Sequence, residues 1–109
     1  MINSYTIYYS PAALDDLRNI YIYISEKLHA PENAEHQINR IRFSIKKLTV
    51  LPKRHELVTW KPWHSQSVYR LPVDNYIIFY QVNEPAASVL IVRIFYGGRN
   101  VEEIINDRN

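Results

Sequence analysis

The sequence predicts an α+β domain with the order strand, antiparallel two-helix hairpin, three-strand antiparallel meander and short C-terminal tail. Two observations carry this prediction. In the first half of the chain, apolar residues recur at three- and four-residue steps, as they do on one face of a helix. In the second half, residues 68–99 hold three runs rich in Val, Ile, Tyr and Phe. A chain of 109 residues suits a single domain, so we expect residues 1–109 to form one unit.

The N-terminal strand and the first helix follow from local signals. A short apolar run at residues 5–9 predicts the strand. Ser10 can cap a helix, and Pro11 suits the first helical position. The pattern then predicts an amphipathic helix that continues to about Leu28 and stops before Pro31. Its apolar face comprises Leu14, Leu17, Ile20, Tyr21, Ile24 and Leu28.

The second helix is indicated by one apolar stripe. Pro31 can open this helix, and Pro52 lies beyond its predicted end. Because the connection between the two helices is short, we expect them to be antiparallel neighbours. We expect Arg40, Lys46 and Lys47 to lie on the opposite, solvated face. The apolar stripe consists of Ala34, Ile38, Ile41, Ile45 and Leu48.

The meander is predicted by turn residues at 72–75 and 83–85. Its second and third strands are mostly apolar on both faces, so helices should cover one face and the other should be partly covered. Arg70, Arg93 and Arg99 are the polar exceptions. A guanidinium group keeps its charge, so each must meet water, an acid or an anion.

Charge is distributed unevenly, although the formal net charge is only +2. Residues 1–37 carry two Lys/Arg against five Asp/Glu, residues 38–101 carry ten against three, and residues 102–109 carry one against three. A basic centre between acidic ends predicts either an anionic partner or neutralisation within the fold.

Composition also excludes several classes of protein. With no cysteine, the chain has no disulfide and no thiolate nucleophile. No apolar run approaches the roughly 20 residues of a membrane span, and the first residues do not resemble a signal peptide. We therefore expect a cytoplasmic protein that does not contact a membrane.

The irregular segment at residues 53–66 contains two Trp and two His. We expect Trp60 and Trp63 either to close over the core or to bind a flat group. His55 and His64 have neither the spacing of metal ligands nor nearby carboxylates, so we predict no metal and no cofactor. His64 could act as a general acid or base, because imidazole titrates near neutral pH.

An enzyme built on this sequence would have to use Arg, Lys, His and Tyr side chains. Such a set suits RNA cleavage, since the 2′-hydroxyl of the substrate supplies the nucleophile and cations stabilise the charge of the transition state. The candidate catalytic residues are then Arg70, Arg99 and His64, and the candidate target-binding residues are Lys61, Trp63 and Arg93.

Segments spread over nearly the whole chain carry a resemblance to a known family. They are residues 10–17 with Ile20, Tyr23 and Ile24, then 34–48 with Pro52, 69–71, 76–82 and 92–100. Their order resembles that of the RelE/ParE superfamily, the toxins of bacterial type II toxin–antitoxin modules. This resemblance implies a compact basic toxin that a small acidic cognate antitoxin holds in a hetero-oligomer.

The resemblance leaves two targets open. RelE-like toxins cleave mRNA in the ribosomal A site, whereas ParE-like toxins act on DNA gyrase. Arg70 resembles the basic residue of the first meander strand, and Arg99 resembles the arginine after the last strand. RelE-like nucleases tend to carry an arginine where this chain has Ile77 and a tail tyrosine near Ile105. These differences favour a ParE-like gyrase inhibitor, with a ribosome-dependent endoribonuclease or a non-toxic antitoxin-binding remnant as alternatives.

Overall fold

The computed structural model describes residues 4–106, which form a five-stranded sheet covered by helices. The α+β class and the predicted order of the main elements are confirmed. The elements are β1 (Thr6–Tyr9), α1 (Pro11–Ile22), α2 (Pro31–Lys46), β2 (Glu56–Leu57), β3 (Tyr69–Val73), β4 (Tyr76–Asn83), β5 (Ser88–Tyr96) and α3 (Val101–Asn106).

The sheet has the strand order β1-β5-β4-β3-β2. The predicted meander is formed by β3, β4 and β5, which pair antiparallel in sequence order. β1 runs parallel to β5, with Thr6 opposite Ser88 and Tyr9 opposite Ile91. The sequence did not predict this pairing, nor the two-residue strand β2 beside β3.

Helix α1 begins as its cap residues predict. The Ala13 N–H donates to Ser10 Oγ at 3.0 Å, and Pro11 occupies the first turn. A π-helical turn, Tyr23–Lys27, continues the helix to the predicted end near Leu28. Such turns insert an extra residue into the helix and are frequent at functional sites.

Helices α1 and α2 cover one face of the sheet. The apolar stripe predicted on α2 is confirmed, because Ala34, Ile41, Ile45 and Leu48 are buried and Ile38 is partly buried. Ile38, Ile41, Ile45 and Leu48 pack with Leu17 of α1 and with alternate residues of β3, β4 and β5. The resulting core is mostly aliphatic.

The opposite face of the sheet carries a second, largely aromatic core, which we call the aromatic face. Trp63 packs on Phe79 with ring centroids 4.7 Å apart, and Trp60 stacks on Trp63 at 5.2 Å. The two tryptophans thus close over the core, the first of the two alternatives that the sequence left open. The other members are Val58, Val68, Phe95 and Val101, with Ile104 and Ile105 of α3 packed against them.

Candidate functional site

The sheet places two of the predicted site arginines in one row. Arg70 on β3 lies opposite Phe79 on β4, which lies opposite Arg93 on β5. Residues paired across strands project from the same face, so both arginines flank Phe79 on the aromatic face. The Cα atoms of Arg70 and Arg93 are two strand spacings apart, which is about 10 Å. A buried benzyl ring therefore lies where a shared anion site would need an open position.

Arg93 is held by Asp16 of helix α1. Its Nε and Nη2 donate to the two carboxylate oxygens at 2.8 and 2.9 Å, and the Ile94 N–H donates to the same carboxylate at 2.8 Å. The Asp16 and Arg93 side chains are only 10% and 21% exposed. The charge of Arg93 is thus neutralised within the chain, so this geometry does not favour its predicted contact with a target.

Arg70 makes a looser contact. Its Nη1 lies 3.3 Å from Glu56 Oε1, and the glutamate side chain is 81% exposed. Exposed pairs of this kind contribute about 0–1 kcal/mol and exchange readily with water. Arg70, whose side chain is 35% exposed, therefore remains partly accessible to a ligand on the strand next to the sheet edge.

Arg99 leaves the sheet through a tight turn after β5. The Arg99 N–H donates to the Tyr96 carbonyl at 3.1 Å. Within this turn, a Cβ on Gly98 would lie 2.6 Å from Tyr96 Cε2, so a larger residue there would require the exposed Tyr96 ring to move. The Arg99 side chain is exposed and lies over Phe95, with Cζ 5.2 Å from the ring centroid. Its charge has no carboxylate partner among residues 4–106.

The remaining predicted site residues lie on the loop that precedes β3. Lys61 and His64 are exposed, whereas Trp63 is 5% exposed in the aromatic face. The burial of Trp63 gives it a role in packing, and direct contact between it and a target is not favoured. Among the side-chain bonds of the described residues, none joins Lys61 or His64 to Arg70 or Arg99, so the predicted catalytic set is not assembled by mutual contacts.

A cleft that the sequence did not predict lies between the helical hairpin and the end of β5. This hairpin cleft has a volume of ≈ 920 Å³. The π-helical turn forms one wall, and the sheet contributes Tyr76 and Tyr96, whose rings meet edge to face at 6.0 Å. Other lining residues are Asp16, Asn19, Ile20, Tyr23, Ile24, Leu28, Asn33, His36, Gln37, Arg40, Asn75, Ile94, Phe95 and Arg99. Arg99 is therefore the predicted catalytic residue that lines a cavity.

Polar contacts fix the second wall of the hairpin cleft. Asp74, in the turn between β3 and β4, accepts hydrogen bonds from Arg40 Nε at 2.7 Å and Gln37 Nε2 at 2.9 Å. The bond from Arg40, followed by that from Gln37, holds the pKa of Asp74 below its usual range. This network joins helix α2 to the strand end that carries Tyr76.

The end of β5 lines the cleft with Ile94, Phe95 and Tyr96. The Ile94 N–H points out of the sheet to Asp16, and the Gly97 N–H points into it to the Asn75 carbonyl at 2.7 Å. Main-chain groups alternate along a strand, so the Tyr96 N–H also points outward, away from β4, while its carbonyl accepts from Arg99. The cleft thus combines aromatic walls, a strand edge and Arg99, which has no carboxylate partner among residues 4–106.

Two structural features are absent from the part of the chain that the structure describes. No three His, Asp or Glu side chains there come close enough together to hold a metal ion. None of its helices is both long enough and apolar enough to cross a bilayer.

The sequence matches a family model described as "ParE toxin of type II toxin-antitoxin system, parDE" over residues 7–101. The chain belongs to this family. The resemblance to the RelE/ParE superfamily is confirmed, and with it the assignment as a type II toxin. No curated protein sequence gave a significant match.

Solved structures support the fold of this ParE-family toxin. The chromosomal ParDE system of P. aeruginosa matches with a TM-score of 0.72 and 19% identity, covering 87% of this chain and 98% of that one. A mutant of the E. coli toxin RelE in the free state gives 0.63 at 12% identity, covering 94% and 92%. The toxin–antitoxin complex RelBE2 of Mycobacterium tuberculosis gives 0.61 at 15%, covering 88% and 94%. At these identities the likeness concerns the fold alone.

Proposed function

We propose that this toxin inhibits DNA gyrase and is neutralised by a cognate acidic antitoxin in a hetero-oligomer. The observation that carries the proposal is the occupied aromatic face. Catalysis of phosphoryl transfer needs several cations directed at one developing charge. In this chain Phe79 lies between Arg70 and Arg93, and Asp16 neutralises Arg93. The sheet therefore offers a binding surface in preference to a nuclease centre.

The antitoxin partner is inferred from membership of the family. Solved relatives include a toxin–antitoxin complex, RelBE2, and a ParDE system. The basic centre of the present chain, with ten Lys/Arg against three Asp/Glu over residues 38–101, suits an acidic partner.

We place the contact with gyrase at the hairpin cleft. Tyr23, Leu28 and Tyr96 are 54%, 55% and 51% exposed there. Beside them lies Arg99, which has no carboxylate partner among residues 4–106. Aromatic residues and arginine are enriched where protein partners bind most tightly. The exposed apolar side chains thus suit contact with a protein.

Supercoiling of plasmid DNA by purified gyrase tests the proposal. We expect the toxin to stop supercoiling and to stabilise cleaved DNA. Tyr23→Ser and Arg99→Gln should each weaken inhibition roughly tenfold, the effect of about 1.4 kcal/mol. Tyr8→Ser and Arg18→Gln are matched controls, because both residues are exposed and neither lines the cleft. Unchanged supercoiling with excess wild-type toxin would refute the proposal.

The second candidate function, ribosome-dependent mRNA cleavage, is favoured by one observation. Arg99 is unpaired among the described residues, and Arg70 is held only loosely by Glu56. If the toxin is such a nuclease, programmed ribosomes should show cut mRNA, and Arg99→Ala should lower the rate by roughly 10²–10³. Intact mRNA in that assay excludes this candidate. Growth that continues unchanged on expression without an antitoxin would instead indicate a non-toxic remnant.

A further inference from the structure

The hairpin cleft holds polar groups that the proposed contact with gyrase does not use. Asn19, Asn33 and Asn75 all line the cleft and are exposed. Among the side-chain hydrogen bonds of residues 4–106, none involves the amide group of these three residues. Each amide therefore retains both its donors and its acceptor for a ligand.

Three tyrosines meet in the same cleft. Tyr76 and Tyr96 are paired across β4 and β5, and their rings meet edge to face at 6.0 Å. Burial raises the pKa of Tyr76, and the neighbouring phenols of Tyr23 and Tyr96 raise it further. The Tyr76 hydroxyl is therefore protonated at neutral pH and can donate a hydrogen bond. Because Tyr23 and Tyr96 are about half exposed, aromatic surface remains uncovered in the cleft.

The charged residues of the cleft leave one cation for an anionic ligand. Asp16 is bound by Arg93, and Arg40 is bound by Asp74. Arg99 also lines the cleft and has no carboxylate partner among residues 4–106. Within the described part of the chain, no other Asp, Glu, Lys or Arg lines the cleft. The charge that remains available to a ligand is therefore positive.

These groups suit a flat ligand that has hydrogen-bonding edges and one negative group. Nucleobases stack on aromatic side chains, asparagine amides pair with the edge of adenine, and arginine binds phosphate. The cleft volume of ≈ 920 Å³ lies within the range of pockets that hold small molecules, about 300–1,000 Å³. A purely apolar ligand would remove water from the three amides and give them no partner in exchange, which is unfavourable.

We propose that the hairpin cleft binds a purine nucleotide. The base stacks on Tyr96, the asparagine amides bond to its edges, and Arg99 binds its phosphate. The ligand is either a free mononucleotide or an unpaired nucleotide of a nucleic-acid strand, because both present the same groups. Nucleotide binding is measured with the toxin alone, so it can fail while inhibition of gyrase persists, and the reverse also holds.

Nuclear magnetic resonance titration of the ¹⁵N-labelled full chain tests the proposal, with adenosine 5′-monophosphate (AMP) and adenosine as probes. We expect both to shift the side-chain amide signals of Asn19, Asn33 and Asn75 in a saturable manner. Adenosine, which lacks the phosphate, should bind the wild type roughly tenfold more weakly than AMP. Arg99→Gln should weaken AMP binding roughly tenfold and leave adenosine binding unchanged, because Arg99 contacts only the phosphate.

Two further variants test the contacts with the base. Tyr96→Ser should weaken binding of AMP and adenosine roughly tenfold, because stacking is lost. Asn19→Ala should weaken both about threefold, and its exposed position on α1 keeps the test valid if Tyr96→Ser does not fold. Tyr8→Ser and Arg18→Gln change exposed residues outside the cleft and should bind AMP as the wild type does.

A short single-stranded oligodeoxyadenylate distinguishes the two sources of the nucleotide. Binding that is tighter than that of AMP and is lost in Tyr96→Ser assigns the site to a strand, and equal or weaker binding assigns it to a free mononucleotide. Three results overturn the proposal. They are the absence of saturable shifts with AMP and the oligonucleotide, an equal loss of AMP affinity in Arg18→Gln, and an Arg99→Gln variant that weakens adenosine as much as AMP.

Discussion

Two arginines lie against the same phenylalanine, and their surroundings differ. Arg93 Cζ lies 4.3 Å and Arg99 Cζ 5.2 Å from the centroid of Phe95. Asp16 binds Arg93 through both carboxylate oxygens, whereas Arg99 is exposed at the hairpin cleft. One guanidinium thus joins a helix to a strand, and the other is available to a partner.

The contrast between Arg93 and Arg99 shows why residue type alone does not identify a site. One lies in β5 and the other in the turn that follows it, and the sequence marked both positions as functional. Their difference comes from Asp16, which lies 77 residues from Arg93 in sequence. Four variants, each with its own control or alternative outcome, test how far this difference extends.

Asp16→Ala should lower the free energy of unfolding by about 3–5 kcal/mol, because it leaves the Arg93 charge without its partner in a partly buried position. It also leaves the Ile94 N–H without its acceptor. Urea denaturation gives the value. Asp15→Ala is the matched control, since its pair with Arg18 is exposed and should contribute less than about 1 kcal/mol. Equal losses in the two variants would contradict the distinction between held and free arginines.

Ser10→Ala should lower the free energy of unfolding by about 1–2 kcal/mol, the upper part of the usual range for loss of a helix cap. Ser10 Oγ accepts from the Ala13 N–H and donates to the Val92 carbonyl at 2.8 Å, so the substitution breaks two contacts beside Arg93. Ser10→Thr retains the hydroxyl and should recover most of the loss. A loss in the threonine variant as large as that in the alanine variant would assign the effect to packing instead.

Arg40 is a third arginine to compare with Arg93 and Arg99. It is paired with Asp74, as Arg93 is with Asp16, but its side chain is more exposed than that of Arg93. Its pairing lowers the pKa of Asp74 in the folded state. The stabilisation is therefore complete above the unfolded pKa, about 4, and is lost as the pH falls through the lower folded value. Thermal unfolding of the wild type and Asp74→Asn should differ at pH 7 and converge toward pH 3. A difference that stays constant with pH would show that the charge of Asp74 contributes nothing.

Arg99→Gln should change the free energy of unfolding by less than about 0.5 kcal/mol, because the side chain is exposed and has no carboxylate partner among residues 4–106. The same denaturation series provides the measurement. A loss above about 1 kcal/mol would mean that the contact with Phe95 stabilises the fold, and Arg99 would then resemble Arg93.

The parts of the fold that local signals determine could be predicted from the sequence. Ser10 and Pro11 marked the start of α1, the spacing of Ile41 and Ile45 gave the buried side of α2, and turn residues separated the meander strands. Each signal operates within a few residues. The parallel pairing of β1 with β5 could not be predicted in this way, because no local pattern identifies a partner 82 residues away.

The candidate site was harder to predict for the same reason. Asp16 was visible as an acidic residue in the first turns of α1, but its pairing with Arg93 depends on the packing of α1 beside β5. Trp63 fitted either a binding surface or a core, and only its position over Phe79 decides between them. The hairpin cleft depends on the π-helical turn, which no residue pattern in Tyr23–Lys27 indicates.

The parallel pairing of β1 with β5 has a consequence for synthesis in the cell. β1 is synthesised 82 residues before the β5 residues with which it pairs, and loops of this length close slowly. An incomplete chain that ends before Ser88 cannot assemble the centre of the sheet. A nascent chain should therefore acquire the toxin fold only after β5 has been synthesised and has paired with β1.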